Sequence, residues 1–213
     1  GTYAGVMEKI PYLKELGITA VELMPVTEFD EIMMSSSGSS FHNAKQEPTG
    51  YLNYWGYGPS YLYAVKTAYA SRETMSAEGE FKTLVKELHK AGIECIPEMY
   101  FTGKELPGEI LSVLRYWVEE YHVDGFHLTG FPDLSLAAED PFLKRTKLFA
   151  ENWNEVMNRR PKQGYVTPGD GAVSVEEKNL AEYNMQFMED MRRFLKGDEG
   201  MLSAFEFRNR RNP

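Results

Sequence analysis

An α/β fold built on parallel strands is encoded in this chain, and the arrangement of its apolar residues says so in three ways. Stripes at helical spacing recur along the chain, each ends near a glycine or a polar break, and a short β-branched or apolar run follows within a few residues. In the first unit, Val6, Met7, Ile10, Leu13 and Leu16 mark a helix over 4–16 that Gly17 stops, and Ile18 to Pro25 reads as a strand covered on both faces. Phe81, Leu84, Val85 and Leu88 mark the second helix, closed by Ala91-Gly92, with a strand over 93–100. Ile110, Leu111, Leu114, Trp117, Val118 and Tyr121 mark the third, with a strand over 123–128. A shorter helix after Asp140-Pro141 leads into a fourth strand over 147–151. Short helical crossovers return the chain to the same end of a sheet, so these strands run parallel.

Parallel sheets of this kind are doubly wound or closed into (β/α)8 barrels. No Gly-x-Gly-x-x-Gly or Walker-type loop follows any strand, which favours the barrel. A full barrel takes about 250 residues. With 213 residues and four clear strands, the expectation is an incomplete or shortened (β/α)8 domain over 1–213. Two stretches interrupt the repeats: 30–53, with its serine-rich run Ser35 to Ser40, and 154–175, with Arg159-Arg160-Pro161 and Thr167-Pro168-Gly169. Both read as long mobile loops at the C-terminal ends of strands, the face that carries the site in barrels. Beyond them, Leu180, Tyr183, Phe187, Met191 and Phe194 form a helical stripe ending at Lys196-Gly197, a short helix is expected over 201–207, and Arg208 to Arg211 reads as a solvated basic end.

Composition narrows the functional classes. The chain carries 23 Lys plus Arg against 32 Asp plus Glu, a formal charge of −9, with no concentrated basic face for a phosphate backbone. Nucleic acid is not an expected partner. No apolar run approaches the roughly 20 residues that span a bilayer, so neither a membrane nor a signal segment is expected, and the expected location is cytoplasmic. Cys95 is the single cysteine and His42, His89, His122 and His127 are scattered, which predicts an inert thiol, no metal site and no cofactor.

Asn53-Tyr54-Trp55-Gly56-Tyr57-Gly58-Pro59, followed by Tyr69-Ala70-Ser71, resembles a signature of the alpha-amylase superfamily, in its isoamylase and glycogen-debranching branch. Further segments fall in that family's order: Val21 to Val26, Tyr121-His122-Val123-Asp124-Gly125-Phe126, Lys147 to Trp153, Glu182-Tyr183-Asn184 and Arg192 to Asp198. The resemblance implies a (β/α)8 barrel acting on α-glucans or maltooligosaccharides, with hydrolysis of α-1,6 links. That reaction takes two carboxyls opposed across the scissile bond, one as nucleophile and one as acid/base.

By resemblance, Glu151 stands at the general-acid position, and Tyr57 at the tyrosine that stacks on the sugar. Trp55 borders the same groove, and Trp153 is a weaker candidate for it. The nucleophile strand departs from the pattern: an arginine has become His127 and the nucleophilic aspartate has become Thr129. On the preceding strand, Glu98 takes the place of an aspartate, and the family's Asn-His pair is absent from Tyr100-Phe101-Thr102-Gly103. A threonine hydroxyl brings no carboxylate to an oxocarbenium-like centre, and the sequence offers no evident base for it, so double displacement is expected to fail. Three readings follow: a debranching-type glycosidase-family protein with impaired catalysis, a non-catalytic α-glucan-binding or interaction module, and a divergent hydrolase pairing Glu151 with another carboxylate. An incomplete barrel also leaves sheet edges uncovered, so a missing remainder of the barrel or a homo-oligomer is expected.

Overall fold

The computed structural model describes residues 1–37, 45–71, 76–130, 132–134, 136–150, 179–183 and 185–197. They fall into two compact units, 1–181 and 182–213. Among the described residues no helix is long and apolar enough to cross a membrane.

The N-terminal stripe forms two helices rather than one, α1 (Tyr3–Met7) and α2 (Ile10–Leu16). Pro11 is the reason. It has no N–H to continue a ladder and its ring clashes with the carbonyl of Met7, so it is accommodated only in the first turn of a new helix. Thr2 caps α1, its hydroxyl accepting from Gly5 N at 3.0 Å. After Gly17 comes β1 (Ala20–Leu23).

Two ribbons and a connection follow. β2 (Thr27–Phe29) pairs antiparallel with β5 (Ser60–Val65), and β3 (Ile32–Ser37) with β4 (Lys45–Leu52). The loop expected over 30–53 is therefore ordered as a ladder over most of its length. Backbone pairing between strands supplies what its polar side chains cannot, a cue that composition does not carry.

α3 (Ala77–Lys90) begins at Ser76, whose hydroxyl accepts from Gly79 N at 3.1 Å, and places Glu78 and Glu80 in its first turn and His89 and Lys90 in its last. Its stripe of Phe81, Leu84, Val85 and Leu88 is buried as expected. β6 (Glu94–Phe101), α4 (Pro107–Tyr121), β7 (Gly125–Gly130) and β8 (Lys147–Ala150) follow. The turn before β8 is one 3₁₀ turn, Leu143–Arg145, shorter than the helix expected there. Leu180–Glu182 forms β9, so Leu180 belongs to a strand and not to the helical stripe. In the second unit α5 runs over Met185–Lys196, and Gly197 ends it at φ 75°. The expected helix over 201–207, the basic run 208–211 and the loop over 154–175 lie outside the described residues.

The sheet order is β1-β6-β7-β8-β9, and the pairs β1·β6, β6·β7 and β7·β8 are parallel. Partners across a parallel pair share a face, so register sorts the side chains. One face carries Val21, Cys95, Met99, Phe101, Phe126, Leu128, Leu148 and Ala150, and all but Val21 are at most 3% exposed. These residues share one core with the buried stripes of α3 and α4. Phe81 sits within it in edge contact with Tyr3, Trp117 and Tyr121. The Trp117 indole N–H donates to Leu62 O at 2.7 Å and anchors β5 to the helices. Burial pushes the Cys95 thiol up to about 12, helped by nearby Asp124, which leaves it unreactive.

β1 departs from the expectation of a doubly covered strand. It is an edge of this sheet, Glu22 is exposed and the rest is half-buried. An apolar run shows that a strand is buried somewhere but not on how many sides.

Candidate functional site

The second face of the sheet is where the chemistry-bearing residues meet. Glu22 pairs with Ile96, Glu98 with His127, Tyr100 with Thr129, and His127 in turn with Phe149. Residues two apart on a strand point the same way, so Glu22, Glu98, Tyr100, His127 and Thr129 all stand on this face. Glu98, Tyr100, His127 and Thr129 lie toward the C-terminal ends of β6 and β7.

Glu98 and Thr129 are buried, at 4% and 5% exposure. Desolvation holds the Glu98 carboxyl above its ordinary range. The neighbouring hydroxyls of Tyr57 and Thr129 and the imidazole of His127 pull the other way without cancelling it, and Glu22 adds a further push upward. His127 is fixed by Glu22, its Nδ1 hydrogen donated to Oε1 at 2.6 Å. The imidazole reaches across to β1 for its carboxylate.

Tyr57 reaches the cluster from the loop before β5. Its ring stacks on Tyr100 with centroids 5.3 Å apart and planes 30° from parallel, and it remains 43% exposed. Asn53 shapes this loop, its Nδ2 donating to Tyr57 O and its Oδ1 accepting from Gly56 N, each at 3.0 Å. Gly56 lies against Phe29, where a Cβ would come within 2.7 Å of the ring. Trp55 is 58% exposed and meets Tyr54 edge-on at 5.3 Å.

Of the residues singled out in the sequence, Tyr57, Glu98, His127 and Thr129 are brought together. Trp55 lies nearby in the same loop. Glu151 and Trp153 lie outside the described residues. Two members of the cluster, Glu22 and Tyr100, were not singled out. The signal available was the period of two, which aligns Tyr100 with Glu98, whereas Glu22 required the register of β1 against β6. The structure also changes one chemical expectation: the hydroxyl of Thr129 has a carboxyl beside it, that of Glu98. Among the described residues no group of three or more His, Cys, Asp or Glu is arranged to hold a metal ion.

A parallel sheet flanked by helices, with carboxyl, imidazole and aromatic groups at its strand C-terminal ends, has the layout of an α/β protein with its site at the strand ends. Residues 1–102 match the alpha amylase catalytic domain. Isoamylase 3, chloroplastic, of Oryza sativa subsp. japonica is 31% identical over 279 residues, covering 98% of this chain and 33% of the relative. The glycogen operon protein GlgX homolog of Haemophilus influenzae is 30% identical over 267 residues, covering 96% of this chain and 37% of the relative. The chain resembles the alpha-amylase family, in the company of its isoamylases and GlgX homologues. It spans about a third of the length of the curated relatives it matches.

Among solved structures, a putative alpha amylase from Salmonella typhimurium superposes with a TM-score of 0.56 at 22% identity, over 93% of this chain and 36% of that one. The catalytic module of the glycogen-degrading pneumococcal virulence factor SpuA gives 0.55 at 21% identity, over 90% and 32%. These likenesses carry the fold, a (β/α)8 barrel of which the described sheet is a part.

Proposed function

We propose that this chain is an α-glucan-binding member of the debranching branch in which the usual retaining double displacement is lost. One observation carries the reading: the hydroxyl of Thr129, and not a carboxylate, faces the cluster from β7. Retention requires a nucleophile that forms a covalent glycosyl intermediate and leaves again, and an alcohol gives an acetal no easier to cleave than the substrate. The sugar-facing chemistry is better kept. Tyr57 offers a partly exposed ring, and Glu98 a buried carboxyl beside it. The names of the relatives, isoamylase and GlgX homolog, support glycogen-like polymers or maltooligosaccharides as the ligand. The cytoplasm is its proposed place, and the remainder of a barrel or a second copy its proposed structural partner.

The test is binding of maltoheptaose and glycogen alongside product analysis on glycogen and pullulan. Binding is expected, weakened about two- to tenfold by Tyr57→Ala, in line with the 0.5–1.5 kcal/mol that an aromatic contact contributes beyond its buried area. Release of α-configured sugar would overturn the reading, because that outcome requires double displacement. Failure of the parent chain to bind any glucan would overturn it as well.

A further inference from the structure

Two buried oxygens of the cluster, Glu98 Oε1 and Thr129 Oγ1, find no partner at hydrogen-bond geometry among the described residues. Buried polar atoms are paired with protein or with ordered water, and leaving one unpaired is costly. The two belong to adjacent strands on one face: Glu98 stands opposite His127, and Thr129 opposite Tyr100, two residues further along β6. The Thr129 hydroxyl is near enough to Glu98 to influence its carboxyl. A water molecule that donates to Oε1 and accepts from the Thr129 hydroxyl would satisfy both oxygens and keep a lone pair to point at a ligand.

We infer that Glu98 and Thr129 hold a nucleophilic water that attacks the anomeric carbon of an α-glucosyl substrate whose leaving group departs as an anion, such as an α-glucosyl fluoride, by single displacement with inversion. The inference rests on the glucan-binding reading above and departs from retaining chemistry. The water oxygen forms the new bond to the anomeric carbon, the bond from that carbon to the leaving group breaks with its electron pair going to the leaving group, and the water proton passes to Glu98 Oε1. Thr129 orients the water and stays uncharged. Burial makes the Glu98 carboxylate a stronger base than an exposed one, matching it to this task. A departing sugar oxygen also needs a proton, and Glu98 accepts one rather than supplies it. Fluoride leaves as the anion and removes that requirement, so a glycosyl fluoride isolates the step assigned to Glu98.

The experiment follows fluoride release from α-maltosyl fluoride by the full chain, with proton NMR reading the anomer formed first. β-Maltose is expected first, since attack opposite the departing fluoride inverts the centre. Glu98→Gln should slow release by about 10²–10⁴, the range for loss of a general base, and Thr129→Val by roughly tenfold for one orienting hydrogen bond. First appearance of α-maltose overturns the inference, as does a Glu98→Gln variant within threefold of the parent. The anomer is read on the parent, so this outcome does not depend on how the variants fold. No release above the buffer rate, from protein that binds maltoheptaose, overturns the inference and leaves the binding reading standing. Absence of maltoheptaose binding removes both.

Discussion

Gly130 ends β7 immediately after Thr129, and replacing it with alanine would test whether the strand register holds the site in place. The backbone there has φ 82°, and a Cβ would lie 2.1 Å from Phe101 O and 3.1 Å from the Tyr100 ring. The first contact is to backbone, so no side-chain rotation relieves it, and β6 and β7 must part by about 1 Å to restore ordinary van der Waals distance. Left-handed backbone costs alanine about 1–2 kcal/mol. Overpacking a close-fitted position costs about 1–3 kcal/mol more, and loss of the terminal ladder bond about 1 kcal/mol. Together these predict about 3–6 kcal/mol of destabilisation, or a fall in Tm of roughly 10–20 °C for a chain of this size. Thermal and urea unfolding of Gly130→Ala would measure it, with Gly108→Ala as control. Gly108 lies in the first turn of α4 with nothing within 4 Å of a Cβ, and its replacement should be neutral or stabilising by up to about 1 kcal/mol. A Gly130→Ala protein within 1 kcal/mol of the parent, or one that binds glucan as tightly, would refute the claim that this close approach fixes Thr129 and Tyr100.

Three further predictions follow from the same reasoning. Lys66 is 3% exposed, and its ammonium donates to Glu28 Oε1 at 2.7 Å and Phe29 O at 2.8 Å and sits 4.4 Å from the Phe29 ring. Lys66→Met should therefore cost about 2–4 kcal/mol in urea unfolding, most of it from stranding the carboxylate and the carbonyl. Trp117→Phe removes the donor to Leu62 O from a fully buried position and should cost about 2–4 kcal/mol by the same measurement. The Glu98 carboxyl is raised above its ordinary value near 4.5, so between the two values the folded state binds the proton that the unfolded state has lost. Its effect on stability is then a penalty that is absent at low pH and grows as pH rises through the folded value. A Glu98→Gln chain should gain stability relative to the parent over that rise, and a constant difference across pH would show the carboxyl to be unperturbed.

The resemblance to a debranching barrel and the helix-strand units were legible in the residues alone, because both depend on local order along the chain. Phe81, Leu84, Val85 and Leu88 announce one buried face of a helix whatever they pack against, and α3 forms where they predict. Pro11 shows the limit of the same cue, since an unbroken apolar stripe hides a helix break that one imino acid imposes. The ribbon over 32–37 and 45–52 shows another: pairing satisfies its backbone while composition reads as loop.

The residue types of the candidate site were also visible, among them Glu98, His127 and Thr129. Their relations were not. That Glu22 grips His127 from β1, that Tyr100 stacks beneath Tyr57, and that a carboxyl stands beside the Thr129 hydroxyl all depend on which strands are neighbours and in what register. Register is settled by burying one apolar face of the sheet against α3 and α4, a choice made jointly by residues 20 to 150. Sequence alone determined which groups this chain brings to its chemistry. Tertiary structure decided which of them touch, because a strand fixes the direction of its side chains locally but acquires its neighbours only when the whole sheet packs.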